Sequence, residues 1–141
     1  MHAIKSLCVL ICLAALCVPA HARAQRVGGP CAYKDHPGTA TFVSVAPLPP
    51  SHGSARRGYR VLFTFATDVN VASPLYRVGQ VREFTLVGGV APGQRYVEKY
   101  GIRQGRTVRG VMRVITAGTC TPVLFKLEGI DEADLFELKT P

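Results

Sequence analysis

A single change of hydrophobic period is the feature that most restricts the fold of this chain. Apolar and polar residues alternate along segments separated by Gly and Pro, which is typical of short β-strands. Between the third and fourth of these segments, Tyr96, Val97 and Tyr100 instead fall at i, i+1 and i+4, which indicates a short helix. The sequence therefore predicts an all-β domain with one short helix, in the order β-β-β-α-β-β.

The predicted elements lie between turn-forming residues. The helix is predicted at 94–100, followed by Gly101 as a left-handed cap and by Ile102 as its apolar contact. The strands are predicted at 39–46, 59–67, 81–87, 106–116 and 122–128. Residues 25–37 are rich in Gly and Pro and are expected to be irregular. Residues 131–138 are expected to form a short helix or an added edge strand.

This order of elements resembles that of a small secreted bacterial OB-like barrel protein. The resemblance covers about residues 39–128 and is one of topology, because no residue motif identifies a particular family. It implies a five-stranded, partly open barrel and transfers no functional residue to this chain. A small β-sandwich would give a similar order of strands and stays open as the alternative.

The first 24 residues have the pattern of a secretory signal peptide. Lys5 gives a positive start, residues 7–18 are an apolar run, and an Ala-x-Ala cleavage motif ends at Ala24. We expect cleavage after Ala24, so that residues 25–141 form one domain with an acidic C-terminal tail, located in the periplasm or secreted. The run is shorter than the roughly 18 residues of a membrane helix, so no span is expected after cleavage. An uncleaved anchor and a lipoprotein acylated at Cys17 are the alternatives.

Cleavage also changes the cysteine count. Of the five cysteines in the sequence, only Cys31 and Cys120 remain in the mature chain. Two cysteines in an oxidising compartment, with none left over, predict one disulfide bond between them. Two buried free thiols are the alternative.

The charge is divided between a basic body and an acidic tail. The whole sequence has 17 Lys and Arg against 9 Asp and Glu. Residues 25–126 hold 14 basic and 4 acidic side chains, whereas residues 127–141 hold one basic and five acidic side chains. We therefore expect the body to attract an anionic partner.

No recognisable catalytic motif is present. Two short segments contain residue types found in serine hydrolases, Asp35-His36 and His52-Gly53-Ser54, but both are predicted to lie in loops. There is no G-x-S-x-G elbow. The chain also has no CxxC motif, and His36 and His52 lack the spacing of metal ligands. We therefore expect no enzyme activity, no metal and no cofactor.

The candidate binding residues are arginines. In the fourth predicted strand, alternation places Arg109 and Arg113 on one face and more apolar side chains on the other, which we assign to the barrel interior. Arg60 and Arg82 come from neighbouring strand regions. Together these four arginines are expected to form a basic face, because Arg suits bidentate contacts with carboxylate and phosphate groups. A solvated surface that only keeps the protein soluble is the alternative.

These observations favour an exported, non-enzymatic binding module of the bacterial cell envelope, with an acidic envelope protein or an anionic polymer as its partner. Two other functions stay open. The loop Pro47–Gly58 suits an enzyme inhibitor. Tyr59 and Tyr76 would suit base stacking in a single-stranded nucleic-acid binder. However, Tyr59 shares its predicted strand face with Phe63 and Phe65 and is expected in the core, and export makes nucleic acid the less expected partner.

Overall fold

The computed structural model of the chain describes residues 30–50 and 56–138. Within these ranges, five antiparallel strands form one curled sheet, a half-barrel, and one short helix lies between the third and fourth strands. The elements are β1 (Ala32–Pro47), β2 (Tyr59–Ala66), β3 (Arg82–Phe84), α1 (Gln94–Lys99), β4 (Thr107–Ala117) and β5 (Val123–Leu127). The predicted fold class is confirmed, and the sheet is compatible with an OB-like topology. The predicted signal peptide lies outside the described residues.

The central strand β1 pairs with a different neighbour at each end. The sheet order is β3-β2-β1-β4-β5. Residues 32–41 of β1 pair with β4, and residues 39–47 pair with β2, with a register shift between Phe42 and Ser44. The long strand β1 therefore belongs to both halves of the sheet, and β3 and β5 are the two edge strands of the sheet.

β1 begins seven residues earlier than the sequence predicts, because Pro37 is compatible with this position in the strand. Its carbonyl oxygen accepts a hydrogen bond from Thr67 Oγ1 at 2.7 Å. The carbonyl and the nitrogen of one strand residue point to the same side, so the missing N–H of Pro37 faces away from the β4 ladder. Pro is tolerated where it removes no ladder hydrogen bond. The expectation that residues 25–37 are irregular is therefore wrong for residues 32–37.

The concave face of the sheet carries the hydrophobic core. Alternation along β2 buries Val61, Phe63 and Phe65, as the sequence predicts. Phe63 and Phe65 contact Phe125 of β5, with ring centroids 5.2 Å and 5.3 Å apart. Such aromatic contacts stabilise a core beyond the area that they bury, and here they connect β2 to the edge strand β5 across the concave face.

Helix α1 ends as the sequence predicts. Gly101 has a φ of 58°, the left-handed conformation that Gly adopts without steric cost. Ile102 donates its N–H to Val97 O at 2.8 Å, and its side chain is buried. This C-terminal turn therefore fixes the last turn of α1 against the core.

Two segments differ from the expected elements. β3 has three residues instead of seven, because Leu86 bridges to Val90 and the N–H of Val87 donates to Glu132 O at 3.0 Å. Residues 131–138 form turns, neither the short helix nor the edge strand that was expected. Within this segment, the side chains of Asp134, Phe136 and Glu137 contact α1.

Cys31 and Cys120 form the predicted disulfide bond, with their Cα atoms 6.2 Å apart and a sequence separation of 89. The bond connects the residue before β1 to the turn before β5. Within the described residues, no helix has the length and the hydropathy needed to cross a membrane.

Candidate functional site

The outward register predicted for β4 is present in the structure. Arg109 and Arg113 are exposed on the convex face, and Val108, Met112 and Val114 are buried on the concave face. Four residues of strand separate the two arginines by roughly 13 Å. We call Arg109 and Arg113 the outer arginine pair.

Each member of the outer arginine pair already binds a carboxylate. Arg109 Nε lies 3.3 Å from Glu128 Oε2, and the two side chains are 81% and 61% exposed. Arg113 Nε lies 2.9 Å from Asp35 Oδ1, with exposures of 45% and 58%, and its guanidinium also lies over the Tyr33 ring. Ion pairs this exposed contribute only about 0–1 kcal/mol to stability, so another carboxylate can replace these partners at small cost.

Arg60 lies on the convex face but far from the outer arginine pair. It is opposite Ala46 of β1, whereas Arg109 is opposite Thr39. The seven residues between these β1 positions correspond to roughly 20 Å along the strand. Arg60 Nε has its own partner, Glu83 Oε1, at 3.8 Å.

Arg82 lies on the other face of the sheet. It is opposite Phe63 in the β2–β3 ladder, and directly paired residues share a face. Its guanidinium lies 5.2 Å from the centre of the Phe125 ring and donates to Leu75 O and Gln80 Oε1. Burial lowers the pKa of Arg82. The four predicted arginines therefore do not share one face, because Arg82 points toward the core.

A second charged surface forms where the acidic tail packs against α1. Lys99 Nζ lies 2.5 Å from Asp134 Oδ2, and Tyr100 Oη donates to the same oxygen at 2.8 Å. These two hydrogen bonds lower the pKa of Asp134, and the bond to Asp134 raises the pKa of Lys99. Tyr96 Oη donates to Asp131 O at 2.8 Å, and burial raises its pKa well above the usual tyrosine range.

The remaining contacts of the tail involve Phe136 and Glu137. The Arg95 guanidinium and the Lys99 ammonium lie 5.3 Å and 4.8 Å from the centre of the Phe136 ring. Glu137 Oε1 accepts the backbone N–H of Arg95 at 2.9 Å. Glu137 Oε2 is buried without a hydrogen-bond partner, close to Gly93, where a Cβ atom would lie only 2.3 Å from it. We call Arg95, Lys99 and Tyr100 the α1 basic face.

The α1 basic face was not predicted, although the sequence contains a signal for it. Arg95 and Lys99 are four residues apart, and so are Tyr96 and Tyr100, so each pair lies on one side of a helix. The five acidic residues at the end of the sequence provide the opposite charge. The sequence gives no indication that these two segments meet, because 35 residues separate Lys99 from Asp134.

The described residues contain no group of three or more His, Cys, Asp or Glu side chains that would hold a metal ion. Asp35 faces outward to Arg113, whereas His36, the next residue, is buried opposite Met112. Because they lie on opposite faces of β1, Asp35 and His36 do not form an acid–base pair. His52 lies outside the described residues.

Comparison with family models, with curated proteins and with solved structures found no match to this chain.

Proposed function

We propose that the protein is an exported, non-enzymatic binding module of the bacterial cell envelope, which holds an acidic protein or an anionic polymer on the outer arginine pair. The observation that supports this proposal is that Arg109 and Arg113 each hold a carboxylate in solvent. Both contacts use Nε, and a guanidinium has five N–H donors, so each arginine can bind further acceptors. A partner with carboxylates roughly 13 Å apart matches the pair.

Export is supported by the disulfide and by the residues before it. Disulfide bonds persist in oxidising compartments, and Cys31 and Cys120 are bonded. Intact-mass analysis of the protein from its own cells tests export directly. The mass of a chain that begins at Gln25 supports a periplasmic or secreted location, and the mass of a chain that still contains Lys5 contradicts it.

Binding to poly-L-glutamate at several salt concentrations tests the role of the arginines. Replacing both residues, Arg109→Gln with Arg113→Gln, is expected to weaken binding more than tenfold. It should also reduce the dependence of binding on salt, because fewer ion pairs form with the polymer. The melting temperature is expected to change little, because exposed ion pairs contribute little to folding.

A matched control separates a binding face from net charge. Arg77→Gln with Arg103→Gln also removes two exposed charges, but from loops outside the outer arginine pair. If the control double variant weakens binding as strongly, attraction to the whole basic body explains the binding and the proposed face is wrong.

The nucleic-acid alternative receives less support from the geometry. Stacking of bases needs exposed aromatic faces. Tyr59 and Tyr76 are both partly buried against the core, and Tyr76 Oη donates to Phe65 O at 3.0 Å. The central residues of the predicted inhibitor loop, 51–55, lie outside the described residues, so no observation favours that function.

A further inference from the structure

The α1 basic face and the acidic tail match each other group by group. The carboxylate of Asp134 binds Lys99 and Tyr100, and the ring of Phe136 lies against the cations of Arg95 and Lys99. A cation over an aromatic ring is attracted by the electrons of that ring. The face therefore recognises two chemical features at once, a carboxylate and an aromatic ring two residues later.

Residues 131–138 of the tail pack at this face without forming a helix or a strand. They come shortly after Gly129, whose φ of 72° marks a tight turn. The backbone of residues 131 and 132 accepts hydrogen bonds from Tyr96 and Val87. Residues 134–137 are held by their side chains: Leu135 and Phe136 are partly buried against the core, and Asp134 binds Lys99, whose side chain is 52% exposed. A segment without strand or helix pairing opens locally at lower cost than the strands of the sheet do.

One group of the tail fits its position poorly. Glu137 Oε2 is buried and has no hydrogen-bond partner among the described residues. A buried acceptor without a partner loses its hydration and gains nothing in return. A competing segment has its own carboxylate at this position. If that carboxylate stays in solvent or has a hydrogen-bond donor, the segment would bind the same face more tightly than the tail does.

We propose that the α1 basic face is a binding site for acidic–aromatic peptide segments of a partner protein, and that residues 134–137 of the chain occupy it until such a segment displaces them. The occupant has a carboxylate, an aromatic ring two positions later and a second carboxylate next to the ring, as in Asp134-Leu135-Phe136-Glu137. This site is separate from the outer arginine pair and does not depend on it.

The covalent connection sets the strength of this internal competition. A segment joined by a short linker has an effective concentration of about 1 mM at its own site. A free peptide with the same contacts therefore reaches half occupancy only near that concentration while the tail is intact. A tail without its two main anchors no longer competes, so the apparent affinity for the free peptide should rise at least tenfold.

A fluorescent synthetic peptide that covers residues 130–138 is the probe, and anisotropy measures its binding. The full mature chain with Asp134→Ala and Phe136→Ala is expected to bind it at least tenfold more tightly than the wild type does. A peptide carrying the same two replacements should not bind. Adding Lys99→Glu to the protein variant should abolish binding, whereas Arg77→Glu, which changes an exposed charge in the β2–β3 loop, should lower it much less.

Several results would overturn the proposal. These are no binding to the folded double variant, equal binding to the wild type and the variant, and binding that Lys99→Glu does not reduce.

If the double variant does not fold, the wild type is titrated with millimolar peptide and followed by NMR. Displacement of the tail should shift the Arg95 amide, whose N–H donates to Glu137, and an unchanged Arg95 signal is then the contradicting result. If the wild type sediments as a dimer and the peptide does not dissociate it, the face is a self-association surface instead.

Discussion

Gly38 allows β1 and β2 to approach closely at the point where β1 begins to pair with both of its neighbours. A Cβ atom at this position would lie 2.2 Å from Ala66 O and 2.7 Å from the Phe65 ring. Both neighbours are fixed, one as backbone and the other as a buried core ring. A side chain here must therefore displace the end of β2.

Gly38→Ala is expected to lower the free energy of unfolding by about 1–3 kcal/mol, the usual cost of overpacking a core. Urea unfolding measures the change. The control is Gly58→Ala, where the added Cβ meets the flexible end of Leu48 at 3.2 Å and the chain can adjust. Equal losses in the two variants would show that the close approach of β1 and β2 is not the cause.

The folded state disfavours the charged form of the Glu132 carboxylate. Burial raises its pKa, and the nearby charge of Asp131 adds to this effect. The folded state therefore favours the protonated form, so the contribution of Glu132 to stability is present in acid and is lost as pH rises through its raised pKa.

Glu132→Gln is accordingly expected to raise the melting temperature at pH 7. Little change is expected at pH 4, below the ordinary glutamate pKa, where the protonated carboxyl and the amide are both neutral. Thermal unfolding at the two pH values gives the comparison. A variant that melts below the wild type at pH 7 would contradict the assigned cause, because it would show that the charged form is favoured.

The predictability of the elements depended on how much each one relies on local contacts. Alternation fixed the faces of β2 and β4, and the Gly101–Ile102 pair gave the end of α1, because these signals lie within a few residues. The start of β1 was missed because a proline predicts the end of a strand unless it is known that its missing N–H faces away from the neighbouring strand. β3 has only three residues, too few for alternation to assign Arg82 to a face.

The contact between α1 and the tail depends on pH through Asp134. Hydrogen bonds from Lys99 and Tyr100 lower the pKa of Asp134. The contribution of Asp134 to stability is therefore present above its unfolded pKa, about 3.9 for aspartate, and is lost as pH falls through its lowered folded pKa.

Asp134→Asn is expected to lower the melting temperature at pH 7, and the difference from wild type should shrink as pH approaches 2. Its tail should also be cleaved faster by chymotrypsin at pH 7, because Phe136 is released from α1. Asp68→Asn, an exposed position in the β2–β3 loop, is the control and should change neither quantity. A difference that is the same at pH 2 and pH 7 would mean that the charge of Asp134 does not hold the tail.

The half-barrel depends on connections between distant parts of the chain. The strands β1, β2 and β3 follow one another in sequence, as do β4 and β5, and the pairing of β1 with β4 joins these two groups. The Cys31–Cys120 bond joins the start of β1 to the turn before β5. It therefore closes a loop that contains almost the whole described domain.

The size of this loop gives the last prediction. Because the two cysteines have a sequence separation of 89, the chain-entropy treatment assigns the bond about 4–5 kcal/mol, through restriction of the unfolded state. A domain of this size has a total stability of about 5–15 kcal/mol, so Cys31→Ser with Cys120→Ser should bring the fold close to its limit. The urea midpoint of the double variant should fall strongly and match that of reduced wild type, because both lack the same restriction. Labelling of the denatured, exported wild type should find no free thiol. Two labelled thiols per chain, or a double variant as stable as the oxidised protein, would show that the half-barrel does not depend on this bond.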